Sequence, residues 1–154
     1  MNITVDDIKK LREETGAGIA DCKEALSESK GDFTKAKEWL KQKGVESSSK
    51  KADREVKQGI VEVYSHGGKL GVMVTVLCET DFVARTPDFK YLAHELALQI
   101  ASMKPQNEEE LLKQEYIRDG SMIVESLIKS YISKLGENIK VASFTVATLE
   151  DKLN

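Results

Sequence analysis

Along residues 1–45, apolar side chains recur at spacings of three and four, the period of short amphipathic helices. The first helix is predicted to begin after Thr4, whose side chain can cap it, with Asp7 three residues further on. The small residues that begin at Gly16 predict its end, because they allow backbone angles that other residues avoid. Its apolar face consists of Val5, Ile8 and Leu11.

Two more helices complete this N-terminal unit. One is predicted from Ile19 to about Ser29, and the next begins after Asp32 and is expected to close at Gly44. Three helices in about 45 residues bury little surface, so the unit 1–45 should be only marginally stable alone. It has the size of a docking module and contains no plausible catalytic set. The apolar face of its third helix consists of Phe33, Ala36 and Leu40.

The pattern changes over the segment 46–58, which we interpret as a basic linker between two domains. It contains three consecutive serines that begin at Ser47, and it has almost no aliphatic periodicity. Across 41–58, six basic residues stand against three acidic ones. Such a segment could contact phosphate, but a solvated tether or an exposed helix explains it without any ligand.

After this linker the apolar positions alternate with a period of two, which indicates strands, and a second domain is predicted over 59–154. Two β-branched runs, Ile60–Ser65 and Leu70–Cys78, flank a pair of glycines that begins at Gly67, which predicts a hairpin. The second run is apolar on nearly both sides. Both of its faces therefore need cover, either from helices or from a partner protein.

The rest of the pattern predicts helices and one more strand. A long helix should start at Pro87, others should run from Asn107 to about Arg118 and from Val124 to Leu135, and the last strand should span Ile139 to Ala147. Three strands with intervening helices predict an α+β fold, in which a three-stranded antiparallel sheet packs on helices. The core stripe of the long helix consists of Phe89, Leu92, Ala93, Leu96, Ile100 and Met103.

Composition excludes several classes of function. With a net charge of −3, the chain lacks the strongly basic face of a general nucleic-acid binder. No apolar run is long enough to span a membrane, and we expect no signal peptide. The cysteines Cys22 and Cys78 have no metal-site spacing, so we expect reduced thiols, although a small thiol-dependent enzyme is an alternative of another class. The histidines, His66 and His94, are expected to face solvent.

One short stretch stands out between the strand that ends at Cys78 and the helix that begins at Pro87. It places Glu79 and Asp81 around a helix start, where acids are expected for capping, so an acid/base catalytic pair is disfavoured. Next to them stands a large aromatic residue, Phe82. Its ring must either fold back under its own helix or project as an exposed aromatic, the kind of residue that anchors interfaces.

Three stretches of this sequence resemble the signatures of one family, bacterial translation elongation factor Ts. They are residues 11–26 (LREETGAGIADCKEAL), 78–85 (CETDFVAR) and 135–139 (LGENI). They occur in the order of the family, and they are too long and unusual for chance. The resemblance implies that the N-terminal unit is a three-helix, ubiquitin-associated-like domain. It also implies nucleotide exchange on elongation factor Tu, the GTPase that brings aminoacyl-tRNA to the ribosome.

The family resemblance assigns roles to individual positions. In that family the factor docks on the nucleotide-binding domain of the GTPase, and a second element pushes between two helices of the GTPase and dislodges its magnesium ion. The exchange involves no bond chemistry, and the factor needs no cofactor or metal ion of its own. The matching positions are Arg12, Ile19 and Ala20 for docking, Thr80, Asp81, Phe82 and Val83 for magnesium displacement, and Leu135 and Gly136 for a further contact loop.

Two departures from the family pattern concern assembly and contacts. Many members carry a duplicated core and a protruding coiled coil, for which this chain has no room. The resemblance therefore implies a short cytoplasmic form that pairs into a homodimer and engages two GTPases, with no direct contact to nucleic acid or membrane. The stretch Val141–Phe144 lacks the basic residues usual before the aromatic, which puts contacts near the last strand in doubt. An alternative is a chaperone or storage partner that binds the same GTPase without accelerating nucleotide release.

Overall fold

The helices and strands follow the hydrophobic pattern closely over residues 3–149, the part of the chain that the computed structural model describes. A helical N-terminal third precedes a mixed region of strands and helices, so the α+β fold class is confirmed. The helices are α1 (Val5–Thr15), α2 (Ile19–Glu28), α3 (Phe33–Lys51), α4 (Asp81–Ala84), α5 (Pro87–Met103), α6 (Glu108–Lys113) and α7 (Val124–Leu135). The strands are β1 (Gln58–His66), β2 (Leu70–Cys78), β3 (Glu115–Tyr116), β4 (Asp119–Ile123) and β5 (Lys140–Thr148).

The predicted helix caps are present. Thr4 and Asp7 form a reciprocal capping box at the start of α1, in which each side chain accepts a hydrogen bond from the backbone N–H of the other. Asp32 caps α3 by accepting from two backbone N–H groups, and Thr86 caps α5 with a proline at its first position. Helix α1 ends at Gly16, which has a left-handed φ of 70°.

The expected end of the third helix at Gly44 is wrong, because α3 continues to Lys51. Gly44 is buried where α3 crosses α7, and a Cβ built on it would already lie 3.6 Å from the Cβ of Ser133. The glycine therefore permits close packing of two helices and does not terminate one. As a result, the first part of the segment 46–58 is helical and packed, and the division of the chain at this segment stays a prediction.

A three-stranded antiparallel sheet in the order β1-β2-β5 forms the centre of the second region. Its central strand β2 turns Val72, Val74 and Val76 toward α5, where they are fully or almost fully buried. Phe89 of α5 is completely buried in the same core. This packing places the predicted helix stripe against one face of the sheet and confirms its assignment to the core as far as Ile100.

The opposite face of the sheet carries no helix in the part of the chain that the structure describes. We call it the bare sheet face and define it by Val61, Val63 and Met73, whose exposed fractions are 60%, 61% and 51%. Val63 and Met73 lie directly opposite each other on β1 and β2. Strand β2 was expected to be covered on both sides by helices or by a partner; helices cover only one of them.

The helix predicted from Asn107 to about Arg118 is also wrong in its second half. Helix α6 ends at Lys113, and the chain then forms a small hairpin of β3 and β4. The reason lies on α5: the buried side chain of Gln99 donates to the carbonyl of Glu115 (3.0 Å) and accepts from the backbone N–H of Ile117 (2.9 Å). These bonds hold the segment in an extended form that periodicity alone does not reveal.

Candidate functional site

Phe82 is the most exposed large apolar residue in the described part of the chain, with 88% of its surface accessible. It lies in the four-residue helix α4, whose other apolar side chains face inward: Ala84 is buried and Val83 packs against the core. Because Phe89 already fills the core beneath α5, Phe82 has no need to fold back. The ring therefore projects from a short turn into solvent.

The turn that carries Phe82 is fixed by a carboxylate from a distant part of the sequence. Oε1 of Glu137 accepts hydrogen bonds from the backbone N–H groups of Glu79 (3.1 Å) and Thr80 (2.9 Å), and its Oε2 accepts from the Thr80 hydroxyl (2.6 Å). The same hydroxyl caps α4 by accepting from the N–H of Val83 (3.3 Å). Hydrogen bonds to an ionised carboxylate are stronger than neutral ones, so the turn is well anchored.

A second set of bonds runs in the opposite direction. The Glu79 carboxylate accepts from the backbone N–H of Asn138 (2.7 Å) and lies 3.5 Å from the guanidinium of Arg54. The buried side chain of Asn138 donates to the carbonyls of Ala52 (3.3 Å) and Arg54 (2.9 Å), just beyond α3. We call Glu79, Thr80, Glu137 and Asn138 the Glu137 clamp.

Asp81 makes an ion pair with Arg85 one helical turn further on, with a distance of 2.6 Å between Oδ2 and a guanidinium nitrogen. Both side chains are more than half exposed, and such surface pairs contribute little to stability. Glu79 and Asp81 thus have different partners and form no shared proton site.

The other sequence-predicted positions fall into two groups. Arg12 on α1 and Ile19 and Ala20 at the start of α2 are all exposed, and Ile19 is 60% accessible. At the end of α7, Leu135 is half-buried against the core and Gly136 forms an exposed left-handed cap. The loop after α7 is directly joined to the Phe82 turn by the Glu137 clamp.

Comparison with known proteins identifies the family. The model of the elongation factor TS family matches residues 79–154. The chain is 43% identical over 190 aligned positions to elongation factor Ts of Rippkaea orientalis. This alignment covers 93% of this chain and 76% of the relative. It is 43% identical over 195 positions to elongation factor Ts of Coprothermobacter proteolyticus, an alignment that covers 97% of this chain and 99% of the relative. It is 40% identical over 200 positions to the chloroplastic elongation factor Ts of Guillardia theta, with 99% of this chain and 91% of the relative covered.

The chain belongs to the elongation factor Ts family. This membership supports a role in translation elongation. These alignments are longer than the 154 residues of the chain, so the three elongation factor Ts relatives contain internal residues that it lacks. The match to elongation factor Ts of a Nostoc species, 47% identical, runs over only 146 positions, 94% of this chain and 46% of the relative, so the extra residues are not common to all members.

The cysteines of this chain are unsuited to nucleophilic chemistry. Both are fully buried, and burial raises the pKa of Cys78 to about 11 and also raises the pKa of Cys22. The thiolate is the reactive form, so neither residue is primed for attack at neutral pH. The Cys78 thiol instead donates to the carbonyl of Thr80 at 3.2 Å, beneath the Phe82 turn.

Two further observations concern other types of site in the described residues. Over 3–149, no group of three or more His, Cys, Asp or Glu side chains is arranged to hold a metal ion. No helix over the same range is long and apolar enough to cross a membrane. His66 and His94 are both exposed. His66 contacts the hydroxyl of Tyr64, and His94 contacts the carboxylate of Glu62.

Sequence reasoning gave no role to Glu137 and Asn138, although both fall in a stretch that resembles a family signature. A physical signal was available for Glu137. It follows directly after the C-terminal cap of α7, at the negative end of the helix dipole, where a carboxylate is disfavoured. An acid in that position needs N–H or O–H donors nearby, and the Phe82 turn supplies three of them.

Proposed function

We propose that this protein is the guanine-nucleotide exchange factor of elongation factor Tu. It binds the GTPase in its GDP form, displaces the magnesium ion and promotes release of GDP, so that GTP can bind. Phe82 carries the proposal, because it is an exposed aromatic ring on an anchored turn in a member of this family. We place the reaction in the cytoplasm, with no direct contact to nucleic acid or membrane.

Exchange of this kind requires binding energy and no bond chemistry. A guanine nucleotide is held largely through its phosphates and Mg²⁺, so a shift of the helices that support the metal weakens the whole site. Linkage makes the antagonism mutual: GDP weakens binding of the factor as much as the factor weakens binding of GDP. Burial of the Phe82 ring in the GTPase supplies roughly 1.5–3 kcal/mol, which corresponds to about 10-fold to 100-fold in affinity.

Phe82 is not sufficient, so docking elsewhere must supply the rest. The exposed residues Arg12, Ile19 and Ala20 lie on α1 and α2, and Ile19 offers an apolar contact. Thr80, Asp81 and Val83 shape the turn around Phe82, and the loop of Leu135 and Gly136 adds a contact beside it. In this proposal the N-terminal helices supply most of the docking affinity, and the binding energy of the Phe82 ring is used to open the metal site.

Release of labelled GDP from purified elongation factor Tu, with and without this protein, tests the function. We expect acceleration that rises with the concentration of the factor and saturates. Binding measured in parallel distinguishes the alternatives: binding without acceleration would replace the exchange factor with a chaperone or storage partner. If neither binding nor acceleration occurs, the assignment of this GTPase as the partner is wrong.

We also propose that the bare sheet face is covered by a second copy of the chain, giving a dimer that engages two GTPases. The face is apolar at Val61, Val63 and Met73, and its neighbours on β5 include the uncharged residues Ser143 and Thr145. Lys140, opposite Leu77, places one charge at the end of this face. Symmetric pairing joins identical patches, and the part around Val63 and Met73 meets its own copy without like-charge repulsion.

Sedimentation of the isolated protein tests the dimer. We expect a species of twice the chain mass of 17.1 kDa that dissociates on dilution. A single species of the chain mass at every concentration would exclude it, without affecting the exchange assay.

A further inference from the structure

The Glu137 clamp gives the loop after α7 a task that the contact residues do not explain. We infer that Glu137 and Asn138 are positioning residues: they set the direction of Phe82 and thereby the maximal rate of nucleotide release, without contributing to docking. This inference rests on the proposed exchange function.

Helix α4 is too short to orient Phe82 by itself. It contains four residues, and its backbone bonds are the links from Ala84 to Thr80 and from Arg85 to Asp81, both 3.2 Å, and the link from Thr86 to Val83, 3.0 Å. Formation of a helix turn is unfavourable without outside support, because several backbone angles are fixed for very few bonds. The geometry of the turn must therefore come from contacts outside it.

Glu137 supplies that support at the start of the turn. Three donors of Glu79 and Thr80 converge on its two carboxylate oxygens, and the Thr80 hydroxyl passes the constraint to the N–H of Val83. Phe82 lies between the two fixed residues Thr80 and Val83. Removal of the carboxylate would return these donors to water and free the backbone on the N-terminal side of the ring.

Asn138 connects the same loop to the N-terminal helices. Its amide group binds the carbonyls of Ala52 and Arg54, immediately after α3. The other end of α3 is part of the N-terminal core through Ala36. Helix α3 has 19 residues and is therefore about 28 Å long. The clamp thus fixes Phe82 relative to the far end of α3, where the docking helices α1 and α2 pack.

The decisive substitution is Glu137→Ala, assayed over a range of factor concentrations. We expect the saturating rate of GDP release to fall about tenfold, while the half-saturating concentration stays within about twofold, because a positioning residue acts after docking. Glu137→Gln should retain most of the rate, because its amide oxygen can still accept from both backbone N–H groups. Glu125→Ala on the exposed side of α7 is the matched control and should leave both values unchanged.

A double substitution separates positioning from direct contact with the GTPase. If Glu137 acts through the ring, Glu137→Ala should cause no further loss in a Phe82→Ala background. A further tenfold loss there would show that Glu137 contacts the partner itself, and the inference would be overturned. The inference would also be overturned if Glu137→Gln and Glu137→Ala lowered the saturating rate of GDP release by the same factor.

Amide hydrogen exchange in the isolated protein tests the clamp without the partner. We expect Glu137→Ala to accelerate exchange of the Thr80 and Val83 amides by about tenfold or more, with little change at the core amides of β2. Unchanged protection at both amides would overturn the positioning inference even if the wild type promotes GDP release. Conversely, if the wild type does not promote release, the proposed function fails and only the local ordering by Glu137 is established.

Discussion

Two of the regions that expose apolar side chains, the bare sheet face and the Phe82 turn, are built in opposite ways. The bare sheet face presents Val61, Val63 and Met73 from a sheet whose backbone bonds hold them in place. Phe82 stands alone on a four-residue turn that depends on a distant carboxylate for its shape. A broad surface is positioned by its own secondary structure, whereas a single projecting ring needs polar contacts around it.

The difference between the two regions predicts different responses to substitution. On the sheet face, neighbouring side chains share the contact, so a change must introduce repulsion to have a large effect. At the Phe82 turn, one truncation removes the contact.

A charge on the bare sheet face should abolish self-association. In Val63→Lys, twofold symmetry places the new ammonium group in the interface twice, where it would be desolvated without a partner. We expect dimer affinity to fall by at least about a thousandfold, since burial of each unpaired charge costs several kcal/mol. Sedimentation over a concentration series measures this. Val63→Thr is the matched control of similar shape, and a dimer that persists in Val63→Lys would place the interface elsewhere.

Truncation of the exposed ring should remove most of the exchange activity and leave the fold intact. For Phe82→Ala we expect the acceleration of GDP release to fall by about 10-fold to 100-fold, the equivalent of burying one aromatic side chain. The thermal unfolding midpoint should stay within about 1 °C, because the ring makes little contact in the free protein. Tyr91→Ala, an exposed aromatic on α5, is the control. Equal losses in the two variants would contradict a specific role for Phe82.

Weakening the docking helices should change affinity without changing the maximal rate. For Ile19→Ala we expect the half-saturating concentration to rise about tenfold, because part of an apolar contact is lost. The saturating rate of GDP release should remain within about twofold of the wild-type value. The exchange assay over a concentration series measures both quantities. A lower saturating rate with an unchanged half-saturating concentration would reverse the roles proposed for the two regions.

Cys78 lies where the two regions meet, at the end of β2 and against the Phe82 turn. Burial raises its pKa from 9.0 to about 11, so its contribution to stability is complete below about pH 9 and is lost as the pH rises toward 11. At pH 9.5 we expect the wild type to have lost ~0.8 kcal/mol of this contribution, a loss that Cys78→Ala does not show.

The measurement is the difference in unfolding free energy between wild type and Cys78→Ala, compared at pH 7.5 and pH 9.5. If the unfolding free energy of the wild type minus that of Cys78→Ala does not fall between these two pH values, the folded protein does not suppress this ionisation. Replacement of both cysteines by alanine should leave the exchange activity within about twofold, since no thiol chemistry is involved. Loss of activity in a folded double variant would revive the thiol hypothesis.

Local sequence signals predicted the features that depend on neighbouring residues. The caps at Thr4 and Asp32 and the apolar stripe of α5 can be predicted, because each depends on residues that are close together in sequence. Gly44 was misread because its role depends on Ser133, a residue of another helix. The same reason explains the missed hairpin after α6, which Gln99 holds open from α5.

The candidate site could be predicted only in part, because it too depends on residues that are distant in sequence. The pattern identified Phe82 as a residue with two possible orientations, and the core packing of Phe89 favoured the exposed one. The contacts that fix the ring come from Glu137, 57 residues away from Thr80 in sequence. Pairings at that separation leave no periodic trace, so they appear only in the fold.

The unbroken α3 has a consequence for the order in which the protein folds during synthesis. Its second half, from Gly44 to Lys51, packs on α7, which is made more than seventy residues later. That half is rich in serine, which favours helix only weakly, and in lysine, which is charged. Because both residues are polar, this half can remain unfolded during synthesis without risk of aggregation. We expect circular dichroism and NMR of a peptide of residues 33–51 to show helix in its first half only. A fully helical peptide would mean that α3 forms before α7 emerges from the ribosome.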